Sequence, residues 1–182
     1  MKRILFFLAS AVTVAFVVLN FTGASVSAPS KLHKSDDTLF ETAVEMIKKY
    51  ETLHQPRHWP LVGYGHMVLP GEKFSRTRAM DEQAAEVLLR KDLLKNCAVF
   101  RDWGADSLLL GVLAYNIGSG NVMRSSVSRM LKDGNRDIEE VYVRHCRYRG
   151  KPHAGIRRRR IEELEKLFIK DTVVVSSTST QK

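Results

Sequence analysis

Residues 107–118 read SLLLGVLAYNIG, and this stretch decides the fold. Its apolar residues occupy almost every side of a helix instead of one stripe, a pattern typical of a helix that is buried all round. Gly118 is suited to end such a helix, because glycine readily adopts the backbone conformation that follows the last turn. The stretch therefore predicts a central helix around which the rest of the domain packs.

Helical patterns continue on both sides of this stretch. Further helices are predicted at residues 81–96, 125–133, 137–146 and 158–170. In the first of these, Ala85, Leu88 and Leu89 form an apolar face, and Asp92 falls on the same face. Because a carboxylate on an apolar face requires a polar partner, we expect Asp92 to be paired.

The N-terminal part of the domain combines one helix with one β element. Residues 38–41 (TLFE) match the capping box Ser/Thr-x-x-Glu, so a helix is predicted to begin there. Pro56 and Pro60 exclude a continued helix. Residues 61–68 (LVGYGHMV) mix β-branched and aromatic residues with glycine, which predicts a short strand within a small hairpin. The expected fold class is α+β and mostly α-helical.

The first 28 residues have the layout of a secretory signal. Lys2 and Arg3 precede an uncharged apolar run, and small residues follow up to a cleavage point expected after Ala28 or after Ala24. An uncleaved membrane anchor is the alternative. Either way we expect an exported protein, in the periplasm or outside the cell. Beyond residues 1–28 we expect a polar leader, one catalytic domain and a flexible tail at residues 29–37, 38–170 and 171–182.

Composition narrows the class of protein and of partner. The 182 residues are 44% hydrophobic and 27% charged, which excludes a wholly disordered chain and a polytopic membrane protein. A net charge of +9 and a pI near 9.7 favour contact with nucleic acid, anionic lipid or a cell-wall polymer. A nucleic-acid binder that uses Arg157 to Arg160 would fit this charge, but it would not fit the export signal.

Two cysteines, Cys97 and Cys146, are present. An exported protein meets an oxidising compartment, in which such a pair can close to a disulfide. Two buried thiols are the equally open alternative, because sequence alone does not show whether the two residues meet.

Glu51 is the candidate catalytic acid on local grounds. It lies at the end of the first predicted helix, before a proline-constrained loop and the glycine-bracketed residues 63–66. A carboxyl group held against apolar neighbours keeps its proton more readily and can act as a general acid.

Five short motifs occur in an order that resembles the phage-type lysozymes, glycoside hydrolase family 24. These enzymes hydrolyse the β-1,4 bond between N-acetylmuramic acid and N-acetylglucosamine in peptidoglycan. The resemblance extends from about residue 39 to residue 168. The motifs are IKKYE at 47–51, VGYGH at 62–66, DEQA to LLRKDL at 81–93, LAYNIG at 113–118 and GIRRRR with Glu163 at 155–163.

The resemblance implies a lysozyme-like fold with a small hairpin and a central buried helix. It implies that Glu51 is the catalytic acid, that Arg159 reaches it, and that His66 is a structural histidine paired with Asp92. It also implies a monomer that acts on peptidoglycan without a cofactor or a metal. The candidate substrate-binding residues are Gly63, Tyr64 and Asn116.

The sequence departs from the family pattern in the active-site loop. Typical members place an Asp and a Thr between the glutamate and the strand, but residues 52–62 contain no acid. Thr52 stands where a glycine is common, and Leu61 stands where the threonine would be. The residues available for the second catalytic role are His58 and, less favourably, His54, since a neutral imidazole can accept a proton.

Three functions remain open on this sequence. The first is hydrolysis by an exported muramidase. The second is a lytic transglycosylase, in which Glu51 acts as acid and then as base while the sugar's own 6-hydroxyl attacks. The third is a peptidoglycan-binding protein of the same fold that has no activity.

Overall fold

The computed structural model describes residues 34–170. The expected signal segment at 1–28, the expected tail at 171–182 and most of the expected polar leader lie outside these residues. The helices are α1 Lys34–Glu51, α2 Glu82–Val99, α3 Ser107–Ile117, α4 Ser119–Met123, α5 Ser126–Lys132, α6 Glu139–Val143 and α7 Ala154–Leu167. The strands are β1 Leu61–Val62, β2 His66–Met67, β3 Arg147–Tyr148 and β4 Lys151–Pro152. None of the helices within this range is both long and apolar enough to cross a bilayer.

Helix α3 lies at the centre of the core, as its sequence predicts. Six consecutive residues, from Leu109 to Ala114, are buried, and α1, α2 and α7 all contact the helix. Its closest neighbour is α2, because a Cβ atom at Gly111 would lie only 2.5 Å from the sulfur of Cys97. Gly118 follows the helix with a φ of 84°, so the predicted C-terminus is confirmed.

Helix α1 starts earlier than the capping box predicted. It begins at Lys34, and Thr38 lies within it, where its carbonyl accepts a hydrogen bond from the Thr42 hydroxyl at 2.8 Å. The prediction was wrong because residues 35–37 contain no proline or glycine, so nothing in the chain ends the helix at Thr38. Residues 34–37 of the expected polar leader are therefore helical.

The segment predicted as a strand forms a complete hairpin. Strands β1 and β2 are antiparallel, with Val62 opposite His66, and residues 63–65 make the turn. Gly63 and Gly65 have φ angles of 55° and 98°, which side chains with a Cβ rarely adopt. The two glycines thus set the turn that brings this hairpin back towards the end of α1.

Two differences from expectation lie between α6 and α7. Helix α6 ends at Val143, and residues 147–152 form a second antiparallel hairpin, β3–β4, that the sequence did not predict. Helix α7 then begins at Ala154, four residues earlier than predicted, and the side chain of His153 accepts a hydrogen bond from the Ile156 amide at 3.3 Å. The early start is explained by this cap, which satisfies one of the free amides of the first turn.

Both cysteines are free thiols. Cys97 packs between α2 and α3, and burial raises the pKa of its thiol to about 11. Cys146 is buried after α6, where its carbonyl accepts a hydrogen bond from the His153 amide. The structure contradicts the disulfide alternative and agrees with two unpaired thiols.

Candidate active site

Glu51 is the last residue of α1. The helix stops there because Thr52 adopts a φ of 55°, with its amide donating to the carbonyl of Lys48 at 3.1 Å. The preceding turns are anchored by Val44 and Ile47, which are fully buried. The side chain of Glu51 is 21% exposed, so a rigid helix end holds a carboxyl group that a ligand can still reach.

The two oxygens of this carboxyl group have different surroundings. Nη1 of Arg159 donates to Oε1 at 2.6 Å. On the other side, a Cβ atom at Gly65 would lie 3.5 Å from Oε2. Among the described residues, none donates a hydrogen bond to Oε2. Oε1 is therefore held in place, and Oε2 is available beside the hairpin turn.

Arg159 is fixed by a buried network of charges. Its Nε donates to Oε1 of Glu163 at 2.8 Å, while Arg160 and the Tyr142 hydroxyl both donate to Oε2 of Glu163. Arg160 and Glu163 are wholly buried, and Arg159 is 4% exposed. Burial alone would lower the pKa of Arg159, but Glu163 and Glu51 outweigh it and the pKa is raised. Arg159 therefore stays charged in one position beside Glu51.

A cleft of about 330 Å³ opens beside Glu51. Nη2 of Arg159 is buried and has no hydrogen-bond partner among the described residues. Asn116 accepts a hydrogen bond from Arg160 and is tied to the same network. Glu51 supplies the one carboxyl group among the described lining residues, which are Tyr50, Glu51, Asn116, His153, Gly155, Ile156, Arg158 and Arg159.

His66 and Asp92 meet as expected, and a second carboxylate joins them. Nδ1 of His66 lies 2.5 Å from Asp92, and Nε2 lies 2.8 Å from Glu72, which also accepts from the Leu69 amide. Burial would lower the pKa of His66, but the hydrogen bonds to Glu72 and Asp92 outweigh it, and the pKa is raised. This cluster fastens the hairpin to α2. Within residues 34–170, no group of three His, Cys, Asp or Glu residues is suited to hold a metal ion.

Tyr64 and Gly63 are placed differently from the substrate-binding role expected of them. The ring of Tyr64 is 5% exposed, and its hydroxyl donates to Glu82 at 3.1 Å. Its carbonyl accepts from the hydroxyl of Tyr115, which joins the hairpin to α3. Gly63 serves the turn and does not line the cleft. Asn116 is the one of the three candidates that borders the cleft.

His58 belongs to the loop between α1 and β1, together with His54. Its Nδ1 accepts from the Gln55 amide at 3.0 Å, and its Nε2 lies 3.2 Å from Nε of Arg57. Partial burial and the charge of Arg57 lower the pKa of His58, so the ring is neutral at pH 7. A neutral imidazole has one lone pair, and the loop already engages it. His58 is therefore poorly placed for the role of base that the sequence suggested.

The basic run at residues 157–160 divides between surface and core. Arg157 and Arg158 are exposed, whereas Arg159 and Arg160 are buried and pair with Glu163. Half of the run is thus occupied by the network behind Glu51 and is not free to bind a polyanion.

Comparisons with known proteins agree with this arrangement. The sequence model of the phage lysozyme family matches residues 44–163, which is more than half of the chain. The fold is similar to that of the muramidase domain of SpmX from Asticaccaulis excentricus, with a TM-score of 0.58 and 24% sequence identity. The match covers 70% of this chain and 95% of that domain. No curated protein matches the sequence. The expected lysozyme-like fold is confirmed.

Proposed function

Because the chain belongs to the phage lysozyme family, we propose that it is an exported muramidase with Glu51 as the general acid. Its substrate would be peptidoglycan, cleaved at the β-1,4 bond between N-acetylmuramic acid and N-acetylglucosamine. One observation carries the proposal. The Glu51 carboxyl borders an open cleft with one oxygen held by Arg159 and the other available to a ligand.

The position of the transferable proton follows from the hydrogen bonds of Glu51. Oε1 accepts from Arg159, so the proton of the acid is carried by Oε2. The neighbour of Oε2 is Gly65, which has no side chain to obstruct the approach of a glycosidic oxygen. Donation from Oε2 to that oxygen breaks the glycosidic bond and leaves an oxocarbenium-like sugar.

Arg159 stabilises the charge that develops during this step. As Oε2 loses its proton, negative charge grows on a carboxylate that lies 2.6 Å from a guanidinium nitrogen. Glu163 already holds that guanidinium from behind at 2.8 Å, so it need not move when the charge appears. A charge that is positioned in advance stabilises the transition state more than one that must reorganise.

The identity of the second group separates two reactions. Inverting hydrolysis needs a base roughly 6.5–9.5 Å from the acid, with water between them. Within residues 34–170, the cleft lining holds no second carboxyl group, and the lone pair of His58 is engaged within its loop. These observations favour a second candidate function, a lytic transglycosylase.

Transglycosylation would need only Glu51. The acid first gives its proton to the leaving oxygen, and the sugar's own 6-hydroxyl then attacks the anomeric carbon. The Glu51 carboxylate takes the hydroxyl proton, so the acid is regenerated and the product carries a 1,6-anhydro ring. No water is consumed and no second carboxyl group takes part.

Export is part of the proposal and rests on residues 1–28. This basic, apolar and then small-residue segment would carry the domain to the periplasm or beyond the cell, where peptidoglycan is found. Retention by an uncleaved anchor would leave the domain on the same side of the membrane.

The test is digestion of purified peptidoglycan followed by mass spectrometry of the soluble fragments. Glu51→Gln should lower the rate by about 10²–10⁴-fold, the range of general acid catalysis. Glu165→Gln removes an exposed carboxylate from α7 and serves as the matched control with an unchanged rate. Reducing ends would establish hydrolysis, and anhydro ends would establish transglycosylation. Retained activity in Glu51→Gln would refute the assignment, and binding without products would indicate a wall-binding protein.

A further inference from the structure

The turn after β2 exposes apolar side chains. Met67 leaves 53% of its surface exposed and Leu69 leaves 54%, and Pro70 is exposed beside them. The backbone of the turn is nevertheless fixed, because Glu72 accepts a hydrogen bond from the Leu69 amide at 2.8 Å and also holds His66. Single exposed apolar residues are ordinary on a protein surface, but three within four residues on a fixed turn form a small apolar patch.

The loop that follows this turn carries positive charge that the fold does not neutralise. Between residues 52 and 80 the only acid is Glu72, which already pairs with His66. Lys73 and Arg78 form no ion pair among the described residues. The cations of this part of the chain are Arg57, Lys73, Arg76 and Arg78.

A pocket of about 450 Å³ opens between this loop and β1. Lys73, Ser75 and Arg78 line it together with Asp81, whose carboxylate caps α2 by accepting from the Ala84 amide at 2.9 Å. The rest of the lining is apolar and consists of Val62, Phe74, Ala79 and Met80. Two cations and a hydroxyl beside apolar side chains suit a phosphate group that is attached to an apolar molecule.

The apolar turn and the pocket are distinct from the cleft beside Glu51. Among the described residues, none that lines the pocket also lines the cleft. A molecule bound at the pocket therefore leaves the cleft open to its own ligand.

We propose that residues 67–78, which we name the phospholipid loop, dock on the surface of an anionic phospholipid bilayer. Met67 and Leu69 enter the headgroup layer, while Lys73 and Arg78 hold a lipid phosphate at the pocket. A bilayer surface offers an apolar layer and a dense anionic layer together, so it satisfies both features of the loop. A nucleic acid would pair with the cations but would leave the apolar side chains in water.

This docking goes beyond the proposed reaction and does not depend on it. It would hold the domain against the membrane across which it is exported, whichever reaction Glu51 catalyses. Because the loop and the cleft have no lining residue in common within the described part of the chain, the domain can be held at the membrane and still bind a glycan strand.

The test is sedimentation with vesicles of phosphatidylcholine, either alone or mixed with phosphatidylglycerol. The chain used begins at residue 29, because the apolar run at residues 4–19 would itself bind vesicles. The hydrophobic core of the described residues lies wholly between Leu39 and Phe168, so this chain keeps all of it. Circular dichroism checks that each variant is folded.

Two variants separate the two parts of the surface. Lys73→Gln with Arg78→Gln, the charge variant, removes the cations of the pocket. Met67→Gln with Leu69→Gln, the apolar variant, removes the apolar contacts. All four side chains are exposed, so we expect both variants to fold.

Each variant has a matched control elsewhere on the protein. Lys151→Gln with Arg157→Gln removes two exposed cations from residues 144–160, a segment that contains eight of the 29 Lys and Arg residues and no acid. This control tests attraction by net charge alone. Val87→Gln with Leu94→Gln removes two exposed apolar side chains from α2 and tests general stickiness.

On the mixed vesicles we expect the charge variant to bind about tenfold to thirtyfold more weakly than the parent protein, since each cation near an anionic surface contributes about fivefold. The apolar variant should bind about tenfold more weakly. Neutral vesicles should bind the parent more weakly than mixed vesicles do and should bind the charge variant equally. Added salt should weaken binding of the parent more than binding of the charge variant.

Several results would overturn the proposal. No binding of the parent to mixed vesicles, or equal binding to neutral ones, would exclude an anionic bilayer as the partner. An equal loss in either control would assign binding to net charge or to exposed apolar surface in general. Loss in the charge variant alone, together with displacement by inorganic phosphate, would replace the bilayer with a soluble phosphate compound.

Discussion

Replacement of Thr52 by glycine should make the protein more stable. Thr52 directly follows Glu51 and has a φ of 55°, a left-handed conformation that costs a residue with a Cβ roughly 1–2 kcal/mol. The side chain is exposed, so its removal loses few contacts, and the hydrogen bond from its amide to Lys48 is kept. Glycine is more flexible in the unfolded chain, and this entropy cancels roughly 0.5–1 kcal/mol of the stability gained by relieving the strain. The expected net gain is about 0.5–1 kcal/mol.

Thermal denaturation followed by circular dichroism measures this gain. For a domain of this size it corresponds to a rise in Tm of about 1–4 °C. Thr52→Ala is the matched control, because it removes the same outer atoms but keeps the Cβ that conflicts with the left-handed backbone. It should show no gain. An equal gain in Thr52→Ala, or none in Thr52→Gly, would show that backbone strain at this position is not the cause.

The other predictions concern the buried charges. Glu163→Gln should destabilise the protein by about 3 kcal/mol in urea denaturation, because the buried guanidiniums of Arg159 and Arg160 would both lose the carboxylate that pairs with them. Glu165→Gln, on the same helix but exposed, is the control and should change stability by less than about 0.5 kcal/mol. The raised pKa of His66 means that its stabilising contribution is complete below about pH 6.5 and is lost as the pH rises through the folded-state value. Tm should therefore fall from pH 6 to pH 8, and the fall should be smaller in His66→Gln. An equally large fall in His66→Gln would show that another titrating group causes the pH dependence.

The features that were predicted from sequence depend on local periodicity. The apolar residues of 107–118 leave no polar face, so burial of α3 follows directly from the pattern. The same periodicity placed Asp92 on an apolar face and so predicted that its carboxylate has a polar partner, but periodicity did not identify that partner. The turns at Gly65 and Gly118 were also indicated by local sequence, because the observed positive φ angles favour glycine.

The features that escaped prediction depend on contacts between distant residues or on weak local patterns. Glu51 and Arg159 are separated by 108 positions, and only the family resemblance connected them. The β3–β4 hairpin has strands of two residues each, Arg147–Tyr148 and Lys151–Pro152, which lack the β-branched alternation that indicates a strand. Glu72 joins His66 through a loop whose path no periodic pattern determines.

The fold shows where the net positive charge of the chain is located. A value of +9 spread evenly would attract any polyanion equally well, whereas here nearly all of the excess lies in residues 144–160, beside the cleft. Within about one Debye length, roughly 8 Å at physiological ionic strength, such a cluster acts on a nearby ligand far more than the balanced remainder of the surface does. An anionic strand would therefore be drawn towards the end of the cleft that contains Arg158 and His153. Attraction of this kind weakens with salt, whereas the buried contacts that hold Glu51 and Arg159 are screened much less. Ionic strength should thus affect capture of the strand more strongly than the chemical step that follows.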